Sequence, residues 1–292
     1  MVVEIRDNLR RATPVLEAAP AARTAAESAI DCDWICATAR HVLASELQAR
    51  IEAGANPHSV NWAGEDALML AARHGGSIEV IKFLMGHCSP LARSNNGSTA
   101  LQMSMCRHGG ACGTGVFELL AEHSDLSIKG NGESILHAAA RNGLIHECQK
   151  LMAWEPSLSS ALDDDGSTAM MIALDAKHWQ CALILLPQSN PDVPRFSDQK
   201  TALMIALEVA SALDVRREAW VEVAQALVCS CDPRKEDSLG RKSIEFASRV
   251  AHRLPGAIEL LGLRETVLND QDAIEAALAG NKPLGRKAVA RL

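Results

Sequence analysis

Gly132-Glu133-Ser134-Ile135-Leu136-His137-Ala138-Ala139-Ala140-Arg141-Asn142-Gly143 decides the reading of this chain. Gly132 marks a turn, and Ser134 stands where a helix needs a capping hydroxyl or first-turn residue. Ile135 to Asn142 then reads as a short helix, ended by Gly143. A second helix follows from Leu144 to Met152, with Leu144, Cys148, Leu151 and Met152 on one face at i, i+4, i+7, i+8. Glu155-Pro156-Ser157 turns the chain out. The same opening recurs at Gly64, Gly97, Gly166, Gln199 and Gly240, the last two as looser copies. The six openings lie 33, 35, 34, 33 and 41 residues apart. A fixed period of this length is the mark of stacked supersecondary units, none of which buries its apolar face alone.

Ser134-Ile135-Leu136-His137-Ala138-Ala139 resembles the Thr-Pro-Leu-His-x-Ala-Ala signature of the ankyrin repeat, and Asp66-Ala67-Leu68-Met69-Leu70-Ala71-Ala72 is the next nearest copy. Thr99-Ala100-Leu101, Thr168-Ala169-Met170 and Thr201-Ala202-Leu203 keep the Thr and the Leu-like position, while all copies replace the family's Pro. Gly54-Ala55-Asn56-Pro57 resembles the family's exit phrase and implies an earlier unit with helices over 34–41 and 43–53. The resemblance implies an all-α, ankyrin-like repeat solenoid of stacked helix–turn–helix units with short hairpin-like turns, about seven in number. The expected division is an N-terminal arm over 1–30, the repeat array over 31–265, and a C-terminal helix and basic tail over 266–292.

Two units depart from the period. His108 to Gly115 carries four glycines where an interhelix link is expected, which predicts an enlarged loop. The 41-residue unit holds extra residues around Glu208 to Glu218, which should lengthen its helices or their link.

Composition limits the function. The 292 residues carry a net charge of −7, against a general nucleic-acid binder. Aromatic content is 3% with no Tyr, so the core must come from Ala, Leu, Ile, Val and Met. No run of about 18 apolar residues predicts a membrane span, and residues 1–30 lack both a signal-peptide core and the acid-poor character of a transit peptide. Nine cysteines at irregular spacing fit reduced thiols packed as small hydrophobes, which points to the cytoplasm or another reducing compartment.

No phosphate loop, nucleophile elbow or zinc-protease motif is present. Cys32, Cys36 and His41, or Cys229, Cys231 and His252, do not complete a four-ligand zinc set. Asp163-Asp164-Asp165-Gly166 lacks a calcium loop's alternating ligands and reads as a repeat-opening turn. No cofactor, metal or small-molecule ligand is expected. His137 falls at the family's signature His, which implies a structural role between repeats. Trp154, Trp179 and Trp220 fall on or beside second helices, where they should join the core.

The resemblance places a binding surface on the concave side, made by the turns and the short first helices. The corresponding residues are Trp62, Glu65, Arg73, His74, Asn95, Arg107, Arg141, Asn142 and Asp175. Arg73, Arg107 and Arg141 fall in neighbouring repeats, and stacking could align them as a basic stripe suited to carboxylates. Trp62 sits in a turn with little local core to fill, the position of an interface anchor. The resulting expectation is a non-enzymatic adaptor or scaffold that binds another protein, identity unknown. The alternatives are a constitutive accessory subunit of a large assembly and an inhibitor or immunity-type protein that blocks a partner enzyme. An enzyme hidden in the glycine-rich loop or the 41-residue unit lacks a nucleophile with a base at readable spacing.

Overall fold

The computed structural model describes residues 43–105, 114–212, 217–250 and 257–279. Their regular structure is helical, with isolated bridges at Gly130–Glu133, Leu162–Thr168 and Glu236–Lys242. The chain divides into two compact units, residues 1–158 and 159–292. In the first unit lie α1 (Ala44–Glu52), α2 (Ala67–His74), α3 (Ile78–Met85), α4 (Ala100–Ser104), α5 (Thr114–Glu122), α6 (Ile135–Arg141) and α7 (Ile145–Trp154). In the second lie α8 (Ala169–Asp175), α9 (Trp179–Leu185), α10 (Ala202–Ala212), α11 (Arg217–Ser230), α12 (Ser243–Val250) and α13 (Ala257–Ala279).

The repeat phrase becomes a turn followed by a helix pair for a local reason. Gly64, Gly97, Gly132, Gly166 and Gly240 all adopt left-handed backbone, φ from 73° to 80°, a region open to glycine at little steric cost. At the looser fifth opening Gln199 takes the same conformation, φ 57°. Each turn closes on itself, as in Asn61 N to Glu65 O, Asp163 N to Ser167 O and Asp237 N to Arg241 O, all 3.0 Å. An inward side chain completes it: Asp163 Oδ1 accepts from Asp165 N at 3.0 Å and Ser167 N at 2.7 Å. Asp163, the first of the aspartate run, thus binds the backbone of its own turn.

The first helices start on side-chain caps. Asp66 accepts from Met69 N at 2.8 Å, and Thr99 with Gln102 forms a reciprocal capping box. In the two looser copies the equivalent hydroxyls, Thr201 and Ser243, are buried with no hydrogen-bond partner among the described residues. Ser134 stands at the N-cap of α6, but its Oγ lies 2.7 Å from His137 Nδ1 and makes no cap bond. His137 is wholly buried, a core position.

Within each unit like helices stack on like. The first unit packs α2 on α4 and α4 on α6, with α3 against α1 and α5; the second packs α8, α10 and α12 in series beside α9, α11 and α13. Alanines at the contacts, Ala71, Ala72, Ala139, Ala140, Ala173 and Ala206, let backbones approach closely and are buried. Leucines fill the remaining space, among them Leu68, Leu84, Leu120, Leu151, Leu185 and Leu227. Each such side chain contributes about 1.5–3 kcal/mol of transfer free energy.

Trp220 is buried, Trp179 nearly so, and Trp154 stacks on Phe117 with centroids 5.5 Å apart. The extra residues of the 41-residue unit lengthen both of its helices, to 11 and 14 residues. At the C-terminal end, the second helix of the last pair and the helix expected from Thr266 are one continuous element, α13, which crosses the expected boundary at 265. The arm, the helix expected over 34–41, most of the glycine-rich loop and the basic tail lie outside the described residues.

Adjacent turns are tied by one backbone bond per step: Asn95 N to Ala63 O and Asn131 N to Asn96 O in the first unit, Phe196 N to Asp165 O and Ser238 N to Asp198 O in the second. One turn contact yields a stability test. A Cβ on Gly166 would lie 2.6 Å from the Phe196 ring, whereas one on Gly240, at the same φ of 73°, meets nothing within 4 Å. Gly166→Ala is expected to cost about 2 kcal/mol and Gly240→Ala about 1 kcal/mol. Urea unfolding of the two variants checks the difference, and equal losses would remove the Phe196 contact from the account.

Candidate functional site

In the first unit the site begins at the Asn61–Glu65 turn. Asn61 Oδ1 accepts from Ala63 N at 2.9 Å and Glu65 N at 3.0 Å, and its amide donates to Glu65 Oε2 at 2.9 Å. The next repeat fastens this turn, since Asn95 N donates to Ala63 O at 2.9 Å and Asn95 Nδ2 to Trp62 O at 3.1 Å. A turn held at two consecutive carbonyls carries an indole that is 94% exposed.

Glu65 is buried and binds Arg73: Nη1 donates to Oε2 at 3.1 Å, Nη2 donates to Oε1, and Nη2 also contacts Met103 Sδ at 2.9 Å. Two repeats on, the arrangement recurs eight residues apart, as Arg141 donates through Nε and Nη2 to Glu133. Between them Gln102 joins the repeats. Its Nε2 donates to Ile128 O at 3.1 Å and Glu133 O at 3.3 Å, while Oε1 accepts from Thr99 N at 3.0 Å. Gly130 lies against Ser98 so closely that a Cβ there would come within 2.6 Å of the Ser98 Cα.

Two recesses open along this surface. One, about 410 Å³, is bounded by Trp62, Ala63, Glu65, Arg73, Asn95 and Asn96. The other, about 380 Å³, runs from Arg73, Asn96 and Met103 to Glu133, Arg141 and Asn142. They share Arg73 and Asn96.

The second unit answers the same positions with a charge network. Arg195 binds Asp175 at 2.8 Å and Asp198 at 2.7 Å, and Lys200 binds Asp198 at 3.3 Å and Glu208 at 2.6 Å. Burial alone would raise the Asp198 carboxyl, but hydrogen bonds from Arg195 and Lys200 outweigh it and hold it at about 2. A carboxyl lowered on folding stabilises the native state above its ordinary pKa of 3.8, and that stability is lost as pH falls through about 2. Acid titration of the native protein is therefore expected to show a loss of stability between pH 4 and 2 that Asp198→Asn flattens. An unchanged acid limb in Asp198→Asn would contradict this coupling.

The amino-acid sequence matches models of a known family. A model for ankyrin repeats in three copies matches residues 103–197 and 136–237, and a single ankyrin repeat model matches residues 63–95, so that together they cover more than half of the sequence. The chain is an ankyrin repeat protein. The solved human ASB11 ankyrin repeat domain is similar to this ankyrin repeat protein at TM-score 0.59 and 19% identity, covering 83% of this chain and 98% of that one. A structure of the Bdellovibrio bacteriovorus predatory endopeptidase Bd0816 in complex with the immunity protein Bd3460 matches at TM-score 0.54 and 18% identity, over 66% of this chain and 95% of the matched chain. No curated protein matches the sequence. Ankyrin repeats are protein–protein interaction modules and in general not enzymes.

Six of the nine expected site residues of this ankyrin repeat protein, Trp62, Glu65, Arg73, Asn95, Arg141 and Asn142, line the two recesses. His74 ends α2, half-buried, and lines neither recess. Asp175 lies in the second unit, bound to Arg195, and Arg107 lies outside the described residues. At Arg73 and Arg141, two members of the expected basic stripe, each guanidinium is held by a glutamate of its own repeat. Gln102, Met103, Asn96 and Asn131 belong to the surface and were not expected from the sequence.

The thiols divide by burial. Cys88, Cys148, Cys181 and Cys231 are buried and unbridged, while Cys229 is exposed. Burial pushes the Cys88 thiol up to about 12, which makes it a packing group and a poor nucleophile. No described helix is long and apolar enough to cross a membrane.

Proposed function

We propose that this ankyrin repeat protein is a non-enzymatic adaptor whose partner protein docks on the first unit, across the recesses between Trp62 and Asn142. The observation that carries this reading is Trp62: a 94% exposed indole on a turn pinned by Asn95, beside an open recess. Pinning matters because an anchor ordered beforehand loses little freedom on binding, and Trp is among the residues enriched at binding hot spots. The charged groups around it are already paired, so docking does not strand a buried ion. The five cysteines among the described residues are unbridged, which suits a reducing intracellular compartment.

Affinity capture from the source cells tests the reading. The full chain is compared with Trp62→Ala and with Arg141→Gln. Partners retained by the native chain and lost or reduced with both variants support it, and a full set of partners surviving both contradicts it. The accessory-subunit alternative separates by size-exclusion chromatography of native extract: a free species at 31.2 kDa favours the adaptor.

A further inference from the structure

Nine residues after four of the six openings, Gly64, Gly132, Gly166 and Gln199, the chain carries Arg73, Arg141, Asp175 and Glu208, and after Gly97 and Gly240 it carries Cys106 and Arg249. Arg73, Arg141, Asp175 and Glu208 are each ion-paired, and exposure within those pairs is split in opposite senses. In the first unit the bases face outward: Arg73 and Arg141 are 26% and 50% exposed, their partners Glu65 and Glu133 only 7% and 20%. In the second unit the acids do: Asp175 and Glu208 are 41% and 39% exposed, Arg195 and Lys200 only 19% and 13%. The two pairs of the first unit thus present guanidinium and the two of the second present carboxylate, while Arg249 at the same phase of the second unit is itself exposed.

The guanidiniums keep donors in reserve. Each has five N–H groups. Arg73 commits two to Glu65 and one toward Met103; Arg141 commits two, both to Glu133. The Arg73 Nε and Arg141 Nη1 groups make no hydrogen bond among the described residues, and both side chains line the same recess. Asn131, exposed at the edge of that recess, adds a side-chain amide with no hydrogen bond among the described residues.

We propose that the recess between Arg73 and Arg141 binds a carboxylate on an acidic segment of the partner protein. This rests on the docking surface proposed above. Guanidinium donors match a carboxylate in geometry and charge. Glu65 and Glu133 stay paired to the arginines, and the few donors left over, on Arg73 Nε, Arg141 Nη1 and the Asn131 amide, suit a monoanionic carboxylate better than a dianionic phosphate.

Random linear peptides displayed with a free C terminus, and the same library with that terminus fused, are selected on the full chain. Selected peptides are then synthesised and titrated. The expected result is a consensus with Asp or Glu at a fixed position, and at least tenfold weaker binding to both Arg141→Gln and Arg73→Gln/Arg141→Gln. Asp175→Asn/Glu208→Gln should change affinity by no more than about twofold. Circular dichroism checks that each variant is folded, and Arg141→Gln alters only the more exposed arginine. Selection from both libraries assigns a side-chain carboxylate; selection only with the free terminus assigns the terminal one.

A consensus without an acidic residue, undiminished binding to both arginine variants, or tighter binding when phosphoserine replaces the acid overturns the proposal. Trp62→Ala separates the two readings. Peptides that need Trp62 but ignore both arginines leave the docking surface standing and remove the carboxylate, and peptides that need neither remove both.

Discussion

Trp62→Ala should leave folding unchanged and weaken capture of the partner by about 30-fold. The two halves of this expectation have separate causes. With 94% of Trp62 exposed, truncation removes almost no buried surface and leaves no cavity; surface changes of that kind fall within about 0.5 kcal/mol. The turn survives because its bonds are made by Asn61, Gly64 and Asn95, none of which uses the indole. Binding responds differently. A hot-spot aromatic contributes about 2 kcal/mol or more on truncation, which at about 1.4 kcal/mol per tenfold corresponds to the stated loss. Thermal unfolding and a pull-down titration on the same preparations check both halves. A drop in melting temperature with unaltered capture would make Trp62 a structural residue.

Trp220→Ala should have the opposite signature, a loss of about 3–5 kcal/mol of stability in the second unit. Trp220 on α11 is 1% exposed, and its Nε1 donates to Ala206 O on α10 at 3.2 Å. It is the largest of the fully buried side chains, so truncation combines lost transfer energy with a cavity that the surrounding helices fill only in part. The Ala206 carbonyl also loses a donor. Against the 5–15 kcal/mol that holds an ordinary domain together, such a cost removes a large share. Urea unfolding followed by circular dichroism checks it, and a cost below about 1 kcal/mol would mean that α10 and α11 are not held through this ring.

Much of the fold was legible because the repeat writes its constraints at fixed positions. The opening glycines mark left-handed backbone, the Thr or Asp after them marks a cap, and the apolar face of Leu144 to Met152 marks a second helix; these features reappear in the structure. The reading was less direct where tertiary bonds impose the geometry. Asn131, Lys177 and Gln199 hold positive φ without a glycine to announce it, and a single helix replaces the two expected near 265 because no residue there breaks it. Of the residues that line the two recesses, Trp62, Arg73 and Arg141 were among those expected from the sequence. The glutamates eight residues upstream were visible as well, but their pairing with the arginines depends on the turn folding back onto its own helix. In the second unit Lys200 and Glu208 repeat that eight-residue spacing with the charges exchanged, but Arg195 bridges 20 residues to Asp175 outside any period, so that link left no mark in the repeat.

The most direct test of the docking surface is a photocrosslink placed on it. Benzoylphenylalanine installed in place of Trp62, and separately in place of Val267, an exposed apolar residue on α13, is irradiated in the source cells. The account predicts a discrete crosslinked partner from the Trp62 position and none of that identity from the Val267 position. The same partner from Val267 alone, or no partner crosslinked at Trp62 while capture by the full chain still succeeds, would contradict it.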